Sequence, residues 1–298
     1  MILLAGGSGT AGRVVAAALQ DAGMPFRVLT RSPQSAADLQ KRGVLTVLGT
    51  AESRADADRA VSGCTAVVSA ISAFGPQSGS TPAAVDRDGN INLMEAAARA
   101  GVKQFVHFSM HGASVSHPLE LARMKYAAEQ RLVAGNLDWT ILRPTTILET
   151  YAAIMGESLS KSGVAVVFGR GDNPVNFVSA LDLAAAVVFA LHGGLKDQAV
   201  DIGGPDNLPL NELAALLVKR NGSGRTVHVP IPMLRIAAAG ARLVAPPWGR
   251  VLGGAVNLGS ADMRFDAASE RAKLPGVPFT PVREALAAPG PAVPGQTV

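Results

Sequence analysis

An apolar strand that runs into a glycine-rich turn and then a helix opens the chain, and this arrangement constrains the fold more than any other feature of the sequence. Gly6, Gly9 and Gly12 fit a G-x-x-G-x-x-G spacing. Gly7, Gly9 and Gly12 also fit the G-x-G-x-x-G dinucleotide fingerprint. A side chain in the turn would hold a pyrophosphate away, and one at Gly12 would push the helix off the strand. The helix predicted from Thr10 to Ala22 would offer its N-terminal amides to phosphate, so the segment is typical of a dinucleotide-binding unit.

Short apolar segments alternate with helical segments over the first half of the chain. This alternation predicts an α/β fold with a Rossmann-type doubly wound parallel sheet in residues 1–150. Gly23 and Gly101 stand where helices would end before the next strand. Ligands of such sheets lie beyond the carboxyl ends of the strands, so the residues after each strand are candidates for contacts. The predicted strands are Ile2 to Ala5, Phe26 to Thr30, Val44 to Leu48, Ala66 to Ile71, Gln104 to Ser109 and Trp139 to Leu142.

The second half of the sequence loses this alternation and becomes richer in Pro and Gly segments. We expect residues 151–288 to form mainly a small substrate-capping lobe. Within them, 175–204 is predicted to return to the Rossmann core through a strand at Val175 to Val178 and a helix at Ala180 to Leu191. Residues 289–298 contain nothing to bury and are predicted to be a disordered tail.

Charge and composition exclude several classes of protein. The formal net charge is +4, but Lys and Arg are scattered and aromatic residues make up 4% of the chain, so we expect no nucleic acid partner. The single cysteine, Cys64, precedes an apolar run and predicts a buried thiol in a reducing compartment. No basic region precedes the first apolar residues and no apolar run is long enough to span a bilayer, so we expect a cytoplasmic protein without a membrane span. No cluster has metal-ligand spacing, and we expect no metal.

Arg31 follows the second predicted strand, where a site for NAD would place an acidic residue on the ribose 2′-hydroxyl. A guanidinium can bind a 2′-phosphate with two hydrogen bonds, whereas a carboxylate would repel it. The position therefore favours NADP(H) as cofactor. An ordinary solvated arginine is the alternative.

Ser109 and Lys125 are the first candidates for catalysis. Ser109 ends the fifth predicted strand and would face the nicotinamide end of the crevice, although serine at a strand end is often a turn residue. Lys125 lies in the helix predicted from Pro118 to Ala134. Leu121, Lys125 and Glu129 share one helix face, so a surface pair between the lysine and the glutamate is the alternative.

Together these residues resemble the atypical short-chain dehydrogenase/reductase group, and within it the NmrA-like NAD(P)H-binding proteins, with a C-terminal part similar to extended members such as sugar-nucleotide epimerases. The matching stretches are Gly6 to Gly12, Val28 to Pro33, Asn90 to Ser109, Leu137 to Thr146 and Val175 to Asp182. The resemblance implies an NADP(H)-binding Rossmann domain, with Ser109 and Lys125 at the family's active-site positions. The predicted cofactor contacts are Gly6, Gly7, Ser8, Gly9, Thr10, Ala11, Gly12, Arg31, Ser69, Ala70, Ile71, Ser109, Lys125, Pro144, Thr145 and Thr146.

One position departs from the family's catalytic Tyr-x-x-x-Lys motif, because Leu121 stands where the tyrosine would fall. The family's proton donor is therefore absent there. His111, on the loop after Ser109, can exchange a proton near neutral pH and is the third catalytic candidate. A solvated turn histidine is the alternative. Tyr151 would face the crevice if the predicted lobe lies over it.

The sequence thus predicts an NADPH-dependent oxidoreductase that transfers hydride to a small apolar acceptor, a quinone, enone or aldehyde. A quinone suits the missing tyrosine because a hydroquinone anion can take its proton from water. A non-catalytic protein that senses NADP(H) or has a structural role is the alternative, since Leu121 is compatible with that too. We expect a small-molecule substrate, and a homodimer is left open.

Overall fold

The computed structural model describes residues 1–74 and 79–288, and it is organised around one parallel sheet. The strands in this part of the chain are β1 (Ile2–Ala5), β2 (Phe26–Thr30), β3 (Leu45–Leu48), β4 (Ala66–Ser69), β5 (Gln104–Phe108), β6 (Asp138–Pro144), β7 (Thr146–Ile147), β8 (Val164–Phe168), β9 (Pro174–Val178), β10 (Gln198–Ile202), β11 (Asn207–Pro209) and β12 (Arg225–Val229). The helices are α1 (Thr10–Asp21), α2 (Pro33–Gln40), α3 (Arg54–Val61), α4 (Asn90–Arg99), α5 (Glu120–Val133), α6 (Leu148–Ser162), α7 (Ala180–Leu191), α8 (Leu210–Asn221), α9 (Ile231–Val244), α10 (Pro246–Ser260), α11 (Ala268–Arg271) and α12 (Val282–Ala287). A π-helical segment, Ala83–Gly89, leads into α4.

The main sheet has seven strands in the order β10-β6-β5-β4-β1-β2-β3, and every pair is parallel. The order reverses at β1, with β2 and β3 on one side and the later strands on the other. This confirms the predicted Rossmann-type α/β fold. The reversal opens a crevice beyond the carboxyl ends of β1 and β4, which is where such sheets bind nucleotides.

Helices cover both faces of this sheet, which explains why its strands are continuous apolar runs rather than alternating ones. Leu4 on β1 packs into one core cluster with Val15 of α1 and Leu183 of α7. Its neighbour Leu3 points to the other face and packs with Leu93 of α4. The glycine turn between β1 and α1 is thus anchored on two buried layers.

The C-terminal half contributes two small sheets and a third apolar cluster. In one sheet β9 lies between β7 and β11, and in the other β8 pairs with β12. Leu148, Phe177 and Leu213 belong to the cluster that packs these elements. None of the helices in 1–74 and 79–288 is long and apolar enough to cross a bilayer.

The predicted return of Val175 to Val178 to the main sheet is wrong. This segment is β9 of the three-stranded sheet, and it is β10 that joins the main sheet beside β6. The error has a physical cause: β10 has only two buried apolar residues, Val200 and Ile202, on either side of the half-buried Asp201, so it lacks the apolar run of the inner strands. The helix predicted after β9 is present as α7 and packs on α1. The predicted tail, 289–298, lies outside the described residues.

Candidate active site

The turn between β1 and α1 has no room for side chains. Gly6 has a φ of +88°, and a Cβ there would lie 2.6 Å from the carbonyl carbon of Ala70, which follows β4. A Cβ at Gly12 would lie 2.1 Å from the carbonyl oxygen of Gly6. Gly7 is buried, and a Cβ there would lie 2.8 Å from the side chain of Val28. The glycines therefore hold three backbone segments in contact.

The N-terminus of α1 is free of competing groups within the described chain. Gly9 is the N-cap and provides no side-chain cap, and the first turn contains no acidic residue. Ser8 and Gly9 are exposed, while Thr10 and Ala11 are half-buried. Exposed amides at a helix N-terminus attract a diphosphate, so the turn fits the pyrophosphate of a dinucleotide.

Arg31 lies beyond the end of β2 with about half of its side chain exposed. Its Nη1 atom is 3.8 Å from Oε1 of Glu52, which follows β3. Glu52 also accepts a hydrogen bond of 2.6 Å from the Ser80 hydroxyl. Sequence reasoning missed Glu52 because it follows β3, whereas Arg31 follows β2. A carboxylate here competes with phosphate for the guanidinium.

Lys125 is buried under the carboxyl ends of β4 and β5. Its Nζ atom donates to the Phe108 carbonyl at 2.9 Å and to the Ile71 carbonyl at 3.5 Å. Nζ is also 3.1 Å from Oδ1 of Asp86, an ion pair without hydrogen-bond alignment. Asp86 is fully buried in the π-helical segment and accepts a hydrogen bond of 2.9 Å from the amide of Ala73. The ammonium is therefore fixed at the inner end of the crevice.

The alternative prediction of a surface ion pair between Lys125 and Glu129 is wrong. Glu129 is buried and binds Arg143 of β6 with two hydrogen bonds of 3.0 and 2.5 Å. This pair raises the pKa of Arg143, chiefly through the hydrogen bond to the carboxylate. The shared helix face suggested Lys125 as the partner of Glu129, but Arg143 on β6 binds this carboxylate instead.

Two of the predicted contacts after β4 are occupied by the protein itself. The Ser69 hydroxyl is buried and donates to Oδ1 of Asn90 at 2.7 Å. The amide of Ala70 donates to the Ala5 carbonyl at 2.9 Å. These bonds join β4 to β1 and to α4, so this segment forms a rigid floor between the glycine turn and Lys125.

Ser109 and His111 lie side by side along the loop after β5. The Ser109 amide donates to the Leu142 carbonyl at 2.8 Å, and its hydroxyl is buried with no partner among the described residues. Nδ1 of His111 is 2.9 Å from Oδ1 of Asp201 on β10, and its ring lies 4.6 Å from that of Phe265. His111 lies in a turn with its side chain 41% exposed, and there it contacts a carboxylate and an aromatic ring. Sequence reasoning missed Asp201 and Phe265 because they come from distant elements.

The segment after β6 joins the main sheet to the C-terminal half. Pro144 accepts a hydrogen bond of 2.8 Å from the His111 amide, and the Thr145 hydroxyl donates to Oδ1 of Asn176 at 2.8 Å. Thr146 begins β7 and is buried. Asn176 is buried in β9 and accepts a further hydrogen bond from the Gly204 amide at 3.1 Å. Asn176 therefore connects the segment after β6 to the C-terminal half of the protein.

Tyr151 packs among aromatic side chains at the edge of the C-terminal core cluster. Tyr151, in the first turn of α6, has its ring 6.5 Å from Phe74 and 6.4 Å from Phe177. Burial raises the pKa of Tyr151 to about 12, so the phenol stays protonated near neutral pH. Leu121 is half-buried on α5 and adds an apolar surface in place of a phenol.

This geometry fits a nicotinamide dinucleotide, because a turn that a Cβ at Gly6, Gly7 or Gly12 would fill leads into a helix N-terminus, and the inner end of the crevice holds a fixed, buried ammonium. Residues 6–153 match the NAD(P)H-binding family. An NAD(P)H azoreductase from Xenophilus azovorans is 31% identical over 73% of this chain and 72% of its own length. The chain belongs to the NAD(P)H-binding, NmrA-like group of atypical short-chain dehydrogenases/reductases.

Two further proteins are similar to this chain. The (4-alkanoyl-5-oxo-2,5-dihydrofuran-3-yl)methyl phosphate reductase of Streptomyces griseus is 32% identical over 73% of this chain and 72% of its own length. The NADPH complex of the quinone oxidoreductase QOR2 from Escherichia coli superposes with a TM-score of 0.74 over 96% of this chain and 98% of its own. At 24% identity that likeness shows the fold. No set of three or more metal-binding side chains occurs together in 1–74 or 79–288.

Proposed function

We propose that this protein is an NADPH-dependent oxidoreductase that reduces a small apolar acceptor, a quinone, enone or aldehyde. The observation that carries the proposal is the buried Lys125 ammonium, fixed on the carbonyl of Phe108, the residue before Ser109, whose buried hydroxyl has no partner among the described residues. Support also comes from the relatives, which include an azoreductase and a furanone phosphate reductase. The proposal includes a cytoplasmic location, which rests on the single free thiol of Cys64.

NADP(H) is the proposed cofactor because Arg31 lies at the strand end where a 2′-phosphate would be bound. The glycine turn would hold the pyrophosphate, and the Lys125 ammonium the nicotinamide ribose. The bound cofactor supplies a hydride. Glu52, 3.8 Å from Arg31, weakens the preference for NADPH without abolishing it, because both side chains are partly exposed to solvent.

The residues around the acceptor supply charge and a proton. The ammonium of Lys125 stabilises negative charge as it develops on the acceptor oxygen, and the Ser109 hydroxyl can donate a hydrogen bond to that oxygen. We assign Lys125 to charge stabilisation rather than proton transfer, because its ammonium donates to the Phe108 and Ile71 carbonyls and lies beside the Asp86 carboxylate.

His111 is the proposed source of the proton that Leu121 cannot supply. Asp201 accepts from Nδ1 of His111, which leaves Nε2 to hold a proton for the acceptor oxygen. The carboxylate orients the ring. A quinone needs this proton least, because the anion of its hydroquinone can take one from water.

A panel of acceptors tests the proposal through the absorbance of the reduced nicotinamide. Wild-type protein with NADPH should reduce quinones and activated enones faster than unactivated ketones. His111→Asn should lower enone reduction by about 10²- to 10⁴-fold and quinone reduction much less. His192, which directly follows the C-terminus of α7, provides the matched control. His192→Asn should change neither rate. If the protein binds NADPH tightly but no acceptor oxidises it, the reductase proposal is refuted in favour of a sensing or structural role.

A further inference from the structure

The helical hairpin formed by α9 and α10 exposes large apolar side chains that a monomer in water would ordinarily bury. Their exposed fractions lie between 54% and 86%. We name this surface the hairpin face, and it consists of Met233, Ile236, Leu243, Val244 and Trp248.

Helix geometry places these residues on one side of α9. Ile236 lies three residues after Met233, and Leu243 and Val244 lie seven and eight residues after Ile236, so the four side chains fall on one helix face. Leu234 and Ala238 are buried on the side that packs against the protein. Trp248 lies in the first turn of α10, directly after the bend that joins the helices. The most exposed residues, Leu243 and Val244, therefore form the apolar tip of the hairpin.

The charge around the hairpin face has a single sign. The sequence from 213 to 261 contains no Asp or Glu. Arg235 and Arg242 are exposed within α9 itself, close to the apolar residues. The basic residues of this stretch are Lys219, Arg220, Arg225, Arg235, Arg242 and Arg250. A segment that exposes apolar side chains and whose charged residues are all cationic is complementary to a surface that is apolar inside and anionic outside.

The hairpin also contacts the crevice. Nη2 of Arg250 in α10 donates to the Ser80 carbonyl at 3.0 Å. Ser80 belongs to the connection after β4, and its hydroxyl binds Glu52 beside Arg31. A surface bound by the hairpin would therefore lie next to the candidate active site.

We propose that the hairpin face docks on the surface of an anionic lipid bilayer, with its tip among the headgroups and first acyl carbons. Leu243, Val244 and Trp248 would leave water, and tryptophan is favoured at this depth because its ring is apolar and its N–H can remain hydrated. The arginines would contact anionic headgroups. Docking on a bilayer does not depend on the proposed reductase activity. A docked reductase would take a lipid-soluble quinone from the bilayer as its acceptor, and that statement alone rests on the proposed function.

Sedimentation with vesicles tests the docking directly. The full-length protein should pellet with vesicles of equal parts phosphatidylcholine and phosphatidylglycerol and stay in the supernatant with phosphatidylcholine alone. Leu243→Ser/Val244→Ser should weaken binding at least about tenfold, since each side chain loses its transfer from water. Arg235→Gln should weaken it roughly fivefold, the equivalent of about 1 kcal/mol. The matched controls, Leu45→Ser/Val133→Ser and Lys41→Gln, change exposed residues elsewhere and should bind like wild type.

Two results would overturn the docking. One is equal pelleting of wild type and the serine variant. The other is a concentration-dependent dimer that the serine variant dissociates without any binding to vesicles, which would make the hairpin face a contact between two copies of the chain. Reduction of a water-soluble quinone, measured without vesicles, should be the same in wild type and the serine variant. If neither protein reduces the quinone while wild type still binds vesicles, the proposed function is refuted and the docking stands.

Discussion

Replacing Arg31 with alanine is expected to remove most of the preference for NADPH over NADH. The side chain lies at the carboxyl end of β2 and is half-exposed, so it can reach a phosphate on the adenosine ribose without leaving a buried partner behind. NADH has no such phosphate, so its affinity should change little. The difference between the two nucleotides therefore reports the contact with the 2′-phosphate.

The size of the effect follows from two opposing contacts. A hydrogen bond between a guanidinium and a phosphate is worth roughly 1.5–3 kcal/mol, or about ten- to a hundredfold in affinity. The competing pair with Glu52 is long, at 3.8 Å, and partly solvated, which limits it to about 0–1 kcal/mol. Wild type should therefore favour NADPH by about tenfold or more, and Glu52→Gln should raise NADPH affinity by up to about fivefold.

Titrating both nucleotides into wild type, Arg31→Ala and Glu52→Gln measures these differences. Arg59→Ala is the matched control, because Arg59 is similarly exposed and pairs with Asp56 nearby. The affinities should converge in Arg31→Ala and stay apart in the control. Equal affinities in wild type, or an unchanged NADPH affinity in Arg31→Ala, would refute the reasoning. A fall in NADPH affinity for Glu52→Gln would show that the carboxylate helps rather than competes.

Three other changes probe the interior of the site. Lys125→Met should cost about 3–5 kcal/mol of unfolding free energy, because Asp86 stays buried without its cation. Adding Asp86→Asn should restore most of the stability but not the turnover. Urea unfolding measures the loss, and a value below about 1 kcal/mol would contradict the buried pair. Leu121→Tyr should raise ketone reduction relative to quinone reduction by up to about 10²- to 10⁴-fold, and an unchanged ratio of the two rates would show that the new phenol does not reach the acceptor. Burial lowers the pKa of His107 well below its ordinary 6.5, so the ring is neutral in the native state while the unfolded chain binds a proton below that pH. Stability should therefore fall by up to about 1.4 kcal/mol per pH unit as the pH drops below 6.5, and thermal unfolding of His107→Leu should lack this part of the slope.

The sequence predicts the Rossmann half of the fold well because its signals are local. β1 and β2 have the predicted bounds, since apolar runs and flanking glycines define them without reference to distant residues. Small differences arise where tertiary contacts decide. The fourth strand ends at Ser69 rather than Ile71, because the chain turns away to meet Gly6.

The partners of the site residues could not be predicted in the same way. His111 and Asp201 are 90 residues apart in the chain, and they meet because β10 lies beside β6. Asp86 meets Lys125 through a π-helical segment that no sequence period indicates. Residue type and position relative to a strand identify a candidate, whereas its partner depends on strand order and helix packing.

The position of β10 has a consequence for how the protein is made. Residues 1–150 contain six strands of the main sheet, but β6 acquires its outer neighbour only when Gln198–Ile202 has been synthesised. Until then the backbone donors and acceptors along one side of β6 have no partner, and an open strand edge can recruit another chain. The danger of aggregation is thus greatest in the unfinished polypeptide, and a fragment that stops at residue 150 should associate with itself even though its nucleotide-binding turn is complete.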